Sequence, residues 1–267
     1  MVAAAISAGV RVEDAMTVVS ASADEALNAG PLQSLTPNFS LVDVGIPRVK
    51  KLFVDASARE GFSTDLDAFV KERVSGNVLV FLTDNAKFLR LQGYDSHAFV
   101  SEFGDFDHLI SACILSSYVP FATGPLMPKA GDVVDTAAQV MATKPVQRFG
   151  KEGIEEVQPR RTWWDGGLAA MFPREMGDTD TVIVSPIAIH HHDRNIVICP
   201  KPEWSSSANK KFGFKFDDQI TAAPSMSNAL AAWRMILPAR EVVYDEIFAS
   251  AYDDARRVCK ENLLVPG

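Results

Sequence analysis

Apolar residues follow two spacings in this chain. Residues 77–84, Asn-Val-Leu-Val-Phe-Leu-Thr-Asp, are nearly all apolar and β-favouring, and Gly76 precedes them. Such a run reads as a strand covered on both faces, as in an α/β sheet. Residues 181–186 form a second run of this kind and 195–199 a third. Elsewhere composition and spacing predict helices over 12–26, 42–53, 66–73, 108–117, 133–141 and 228–262, the last interrupted at Pro238.

Caps and breakers mark the ends of these elements. Glu13 and Asp14 stand in the first turn of the 12–26 helix, where the helix dipole favours negative charge. Asp105 and Asp107 are cap candidates for 108–117, where Leu109, Cys113 and Ile114 share one side. Tyr118-Val119-Pro120-Phe121 ends that helix, because a residue before proline avoids the helical region. Gly30-Pro31 and Thr36-Pro37-Asn38 are turns. Met1 to Ala8 read as the tail of a helix with Gly9 at its C-cap. So short a helix is marginal alone in water, and no N-cap precedes Val2, so a preceding segment is expected.

Strands that alternate with helices predict an α/β fold, a three-layer sandwich around a mainly parallel sheet. One domain of that class absorbs residues 1–267, with a helical segment over 226–264. Residues 125–162 are mixed in character and rich in Gly, Pro and charge. No internal repeat or low-complexity tract interrupts the chain.

Charge and cysteine content narrow the function classes. The formal net charge is -8, which disfavours nucleic acid as a partner, since phosphate binding needs a basic face. Cys113, Cys199 and Cys259 lie far apart, offer no disulfide framework and fit a reducing, cytoplasmic compartment. None belongs to a Cys-x-x-Cys pair, so a thiolate zinc site is not expected. The start lacks the basic region of a signal peptide, and no apolar run approaches the ~18 residues of a membrane span.

The sharpest local feature is Trp163-Trp164-Asp165-Gly166-Gly167-Leu168. Asp-Gly is a standard turn pair, so an ordinary turn is the plain reading of this segment alone. Other candidates are weaker. His190-His191-His192-Asp193 could bind a metal, but adjacent side chains diverge, and a surface loop is the simpler reading. His97 and His108 are scattered, and a histidine-containing triad would need one of them beside a serine such as Ser63. Gly61-Phe62-Ser63-Thr64-Asp65 is no nucleophile elbow, because Asp65 stands where a second glycine belongs. Lys210-Lys211 beside Phe212 and Phe214 reads as a solvated loop, with contact to a lipid interface as the alternative.

In order along the chain, the segments resemble the patatin-like phospholipase family, and within it the branch containing adipose triglyceride lipase and adiponutrin. That branch has a helix with an Ile/Val-Pro-Phe exit, then an aromatic-Asp-Gly-Gly turn leading to a proline. Here these read 109–121, Trp164-Asp165-Gly166-Gly167 and Phe172-Pro173. Pro37-Asn38-Phe39-Ser40-Leu41-Val42 resembles its Pro-x-Phe-x-Leu-Val turn. The strands at 78–83 and 181–186 sit where the branch places its own, and the similarity runs from Met1 to about Leu264.

The resemblance implies a patatin-like sandwich and hydrolysis of carboxylic esters in triacylglycerols or phospholipids. A serine in Gly-x-Ser-x-Gly attacks the ester, and the aspartate of the Asp-Gly-Gly turn serves as its only base. Asp165 matches that base, with Gly166 and Gly167 shaping its turn and Trp163 and Trp164 as candidates for a dry wall. No cofactor and no metal are implied. A lipid ester is the implied substrate, with peripheral contact to a membrane or lipid droplet.

Three departures qualify it. Neither Gly-x-Ser-x-Gly nor the oxyanion-binding Gly-x-Gly-x-x-Gly occurs in the chain. Met1-Val2-Ala3-Ala4-Ala5 resembles the end of the small-residue helix that follows the family's elbow, so the chain is expected to begin just past that elbow, lacking the first strands of the fold. Met171 stands where the family often has an asparagine, and 125–162 is longer than usual, an extra loop or a lid. The competing expectation is a non-catalytic relative that binds lipid or a protein. Missing strands would expose a sheet edge, which predicts poor solubility.

Overall fold

The computed structural model describes residues 2–28, 41–89, 96–120, 123–125, 128–150, 153–158, 162–168, 182–185, 187–191, 197–200, 214–215, 220–222, 225, 228–230 and 241–261. They form a mixed α/β protein. The chain divides into two compact units, Met1–Pro173 and Arg174–Gly267.

The first unit opens with α1 (Val2–Ser7). Gly9, at φ +69°, closes it: the Gly9 amide donates to the Ile6 carbonyl and the Val10 amide to Ala5, both at 2.9 Å. This is the glycine-terminated helix end expected there. Ala4, Ala5 and Ala8 of this segment are buried in the main core.

Helices α2 (Val12–Asn28) and α3 (Leu41–Arg59) run antiparallel. Arg48 pairs with Glu25 at 2.6 Å and Arg59 with Asp14 at 3.1 Å across them. Aspartates start the next helices. Asp65 accepts the Ala68 amide at 3.0 Å to begin α4 (Leu66–Arg73), and Asp84 opens the short α5 (Asn85–Phe88). Asp105 takes the His108 amide at 2.7 Å for α6 (Phe106–Leu115), and Asp132 the Asp135 amide at 2.8 Å for α7 (Val133–Met141). Each satisfies an amide that the first helical turn leaves without a partner.

Every residue of α6 except Asp107 is buried. A helix apolar all round belongs in the centre of a fold, and α6 packs against α3, α4, α7 and the first strand of the sheet.

The sheet has five strands in the order β4-β3-β2-β1-β5. They are β1 (Val80–Asp84), β2 (His97–Val100), β3 (Val146–Gly150), β4 (Gly153–Val157) and β5 (Trp163–Asp165). All four pairings are antiparallel, with Val80 opposite Val100, Phe99 opposite Gln147, Val146 opposite Val157 and Leu82 opposite Asp165. This corrects the expectation of a mainly parallel sheet. The tight β3–β4 hairpin shows why: its reversal at Gly153, φ +132°, can join only antiparallel strands, whereas parallel ones need a long crossover. The stretch expected as a loop or lid over 125–162 contains α7, which packs on α6, and β3 and β4, which widen the sheet beside β2.

In the second unit β6 (Ile183–Val184) and β8 (Val197–Ile198) are parallel, the one parallel pair of named strands among the described residues. A three-stranded sheet follows in the order β7-β10-β9, formed by Ile189–His191, Ile220–Ala222 and Phe214–Lys215. Buried Asn228 accepts the Ala188 amide at 2.7 Å and donates to its carbonyl at 2.9 Å, replacing a strand neighbour. Helix α8 (Glu241–Glu261) lies inside the 226–264 segment expected to be helical. Among the described residues no helix is long and apolar enough to cross a membrane.

Candidate active site at the Asp-Gly-Gly turn

Strand β5 is a sheet edge, and the Asp-Gly-Gly turn follows directly from it. Trp163 lies opposite Asp84, Trp164 opposite Thr83 and Asp165 opposite Leu82, and Gly166–Leu168 then forms a single 3-10 turn. The Asp165 amide donates to the Tyr118 carbonyl at 3.0 Å. The exit of α6 and the Asp-Gly-Gly turn, 47 residues apart by subtraction (165 − 118), are therefore hydrogen-bonded to each other.

Both glycines have steric reasons to be glycines. A Cβ on Gly166 would lie 2.5 Å from the Phe81 carbonyl carbon and oxygen, inside hard contact. On Gly167 it would meet the Asp165 Oδ1 at 2.9 Å. The space taken up is that of the carboxylate itself: the Gly167 amide donates to Asp165 Oδ1 at 2.7 Å, an aspartate turn closed on its own backbone.

This is the carboxylate's one hydrogen bond among the described residues, and it has no ion-pair partner there. Asp165 is half-buried, and burial raises its pKa above the ordinary aspartate value, only partly offset by the Gly167 amide and the amino-terminal charge. Trp163 is buried, with no acceptor for its indole N–H among the described residues. Trp164 meets Phe88 edge-on at 6.3 Å between centroids. The two tryptophans thus precede the aspartate on its own strand, Trp163 in the core and Trp164 against Phe88. Trp163 belongs to the same core as Ala4, Ala5 and Ala8 of the amino-terminal segment.

Behind the turn stands a residue that the sequence reading left out. Thr83, fully buried on β1, donates its hydroxyl to the Asp165 carbonyl at 2.7 Å, with the Gly166 carbonyl at 3.5 Å from the same oxygen. The one sequence signal was a hydroxyl closing an otherwise apolar strand.

The remaining candidates are dispersed. Ser63 is exposed between α3 and α4, with φ +55°. The preceding Gly61 ends α3, and Asp65 caps α4, so Gly61–Asp65 is a helix-to-helix connection. His97 lies on β2, stacked on Phe81 at 4.8 Å. His108 is buried in α6, where its Nδ1 accepts the Gly104 amide at 3.3 Å and its Nε2 has no partner among the described residues. Burial, followed by the nearby Lys144 charge, lowers its pKa to about 4, so the ring is neutral at pH 7.

His190 and His191 lie on β7 opposite Thr221 and Ile220, which corrects the surface-loop reading: backbone pairing makes them part of a sheet. Among the described residues no cluster of His, Cys, Asp or Glu is placed to hold a metal. His192, Asp193, Met171, Phe172, Lys210, Lys211 and Phe212 lie outside the described residues, while Phe214 is on β9.

Comparison with protein-family models, curated proteins and solved structures gives no match for this chain.

Proposed function

We propose that this chain is the aspartate-bearing part of a patatin-type lipid acyl hydrolase. The observation that carries the reading is the Asp165 carboxylate: half-buried, one oxygen held by the Gly167 amide, and among the described residues without an ion-pair partner and with no hydrogen bond to its other oxygen. A carboxylate with raised pKa and an unused oxygen suits a general base. It would take the proton of a serine hydroxyl as that oxygen attacks an ester carbonyl, then return it to the departing alcohol. Water would release the acyl group by the same exchange of protons. Triacylglycerols or phospholipids are the substrate class, met at a membrane or lipid-droplet surface.

The reading requires a Gly-x-Ser-x-Gly elbow, which the chain does not contain. Its finer fold, a parallel patatin sandwich, belongs to the same proposal. The supporting features are the contact between the helix exit and the turn, and the amino-terminal alanines sharing a core with Trp163.

The decisive experiment translates the genomic sequence upstream of Met1 in frame, then assays ester hydrolysis of the polypeptide carrying both elbow and turn. Asp165→Asn should lower turnover by about 10²–10⁴, the range of a general base, and EDTA should leave it unchanged. Full activity in Asp165→Asn rules out this chemistry.

A second reading follows from one observation: among the described residues no serine hydrogen-bonds to Asp165. The chain alone then acts as a lipid-binding or interaction protein, and co-sedimentation with lipid vesicles separates this reading from an inert fragment.

A further inference from the structure

We propose that Thr83 is the positioning residue for Asp165, acting as a clamp on the main chain of the turn; this rests on the reading of Asp165 as a base. The geometry is specific. Thr83 sits on the central strand β1 and is completely buried, so its hydroxyl has no access to water. It faces two successive carbonyls, donating to Asp165 at 2.7 Å and lying 3.5 Å from that of Gly166.

A trans peptide points its N–H opposite to its C=O. Drawing the Gly166 carbonyl toward Thr83 therefore turns the Gly167 N–H away from Thr83, and that amide is the one bonded to Asp165 Oδ1 at 2.7 Å. Thr83 thus fixes the Asp165–Gly166 peptide through its 2.7 Å bond and approaches, at 3.5 Å, the carbonyl end of the next peptide, whose N–H is the carboxylate's anchor. Two further contacts hold the turn: the space beside the Gly166 Cα is filled by the Phe81 backbone, and the Tyr118 carbonyl accepts the Asp165 amide. Of these, the hydroxyl alone can be removed without changing shape, since valine is close to isosteric with threonine.

The test uses the full chain, isotope-labelled, without substrate. In the wild type the Gly167 amide resonance should follow ionisation of Asp165, because the amide is bonded to the titrating oxygen. In Thr83→Val that pH-dependent movement should largely disappear, and hydrogen exchange at Gly167 should accelerate about tenfold, the equilibrium value of one ordinary hydrogen bond. Thr83→Ser, which keeps the hydroxyl, should restore the wild-type profile. A Thr83→Val chain with wild-type Gly167 behaviour overturns the clamp. If the valine variant does not fold, the serine variant decides: wild-type behaviour supports the clamp, and loss of the Gly167 titration refutes it.

Failure here is separable from failure of the hydrolase reading. An intact clamp with no effect of Asp165→Asn on ester hydrolysis retires the enzyme and leaves the clamp. An unaffected Thr83→Val with an inactive Asp165→Asn does the reverse.

Discussion

Two aspartates lie at opposite ends of α6, and their surroundings send them in opposite directions. Asp105 opens the helix. Burial works upward on its pKa, but the Lys144 hydrogen bond, the His108 amide and the charge of Lys144 together bring it below the ordinary value. Asp165, bonded through its amide to the helix exit at Tyr118, has only the Gly167 amide and the amino-terminal charge to set against burial, and its pKa rises. A carboxylate with a cation and a helix cap is committed to holding the fold. One kept half-dry with an unused oxygen is available for chemistry.

Replacing the glycine beside each aspartate gives the sharpest contrast. Gly166→Ala drives a methyl into the Phe81 backbone and should cost about 3 kcal/mol in urea unfolding. Gly104→Ala, beside Asp105, meets nothing within 4 Å and should stay within about 0.5 kcal/mol of wild type. Equal effects would show that the turn is not tightly held.

Acid titration separates the two ends next. The folded pKa of His108 is lowered to about 4 from 6.5, so the unfolded chain binds its proton first. Stability from this group is complete above pH 6.5 and declines as pH falls toward 4, by roughly 3 kcal/mol. His108→Gln should flatten that part of the pH–stability curve.

Smaller effects come from the aspartates themselves. Asp105→Ala removes a helix cap and an ion pair and should cost about 1–2 kcal/mol at pH 7. Because its folded pKa is lowered, that contribution is present above the unfolded value of 3.8 and is lost as pH falls through the folded one. Asp165→Asn should act with the opposite sign. Its raised folded pKa makes the ionised form a burden above that pKa, so the amide should stabilise the chain at pH 7 and lose this advantage below pH 3.8. Destabilisation at pH 7 would place Asp165 with the structural aspartates.

Local signals carried much of the helical content. The 66–73 helix has the limits its composition predicted, Asp105 is the cap of α6, and Gly9 ends α1 with positive φ. These depend on neighbours within one turn, so the order of residues is sufficient to specify them. The central strand β1 was legible for a related reason, as an unbroken apolar run between punctuating residues.

The other strands of the first sheet were not legible. His97–Val100 is four residues long, and Gly153–Val157 is exposed and half acidic, so neither presents an apolar period. Strand direction also depends on which segments meet, and this chain resolves it in favour of antiparallel neighbours. At the candidate site the sequence by itself supplied Asp165, Gly166 and Gly167 as a turn. Only tertiary structure decided that the turn closes against Tyr118 and Thr83, 47 and 82 positions away, and that among the described residues the carboxylate has no ion-pair partner. Whether an aspartate caps, pairs or stands ready as a base is set by what lies within a few ångströms of its oxygens, and sequence order does not record that distance.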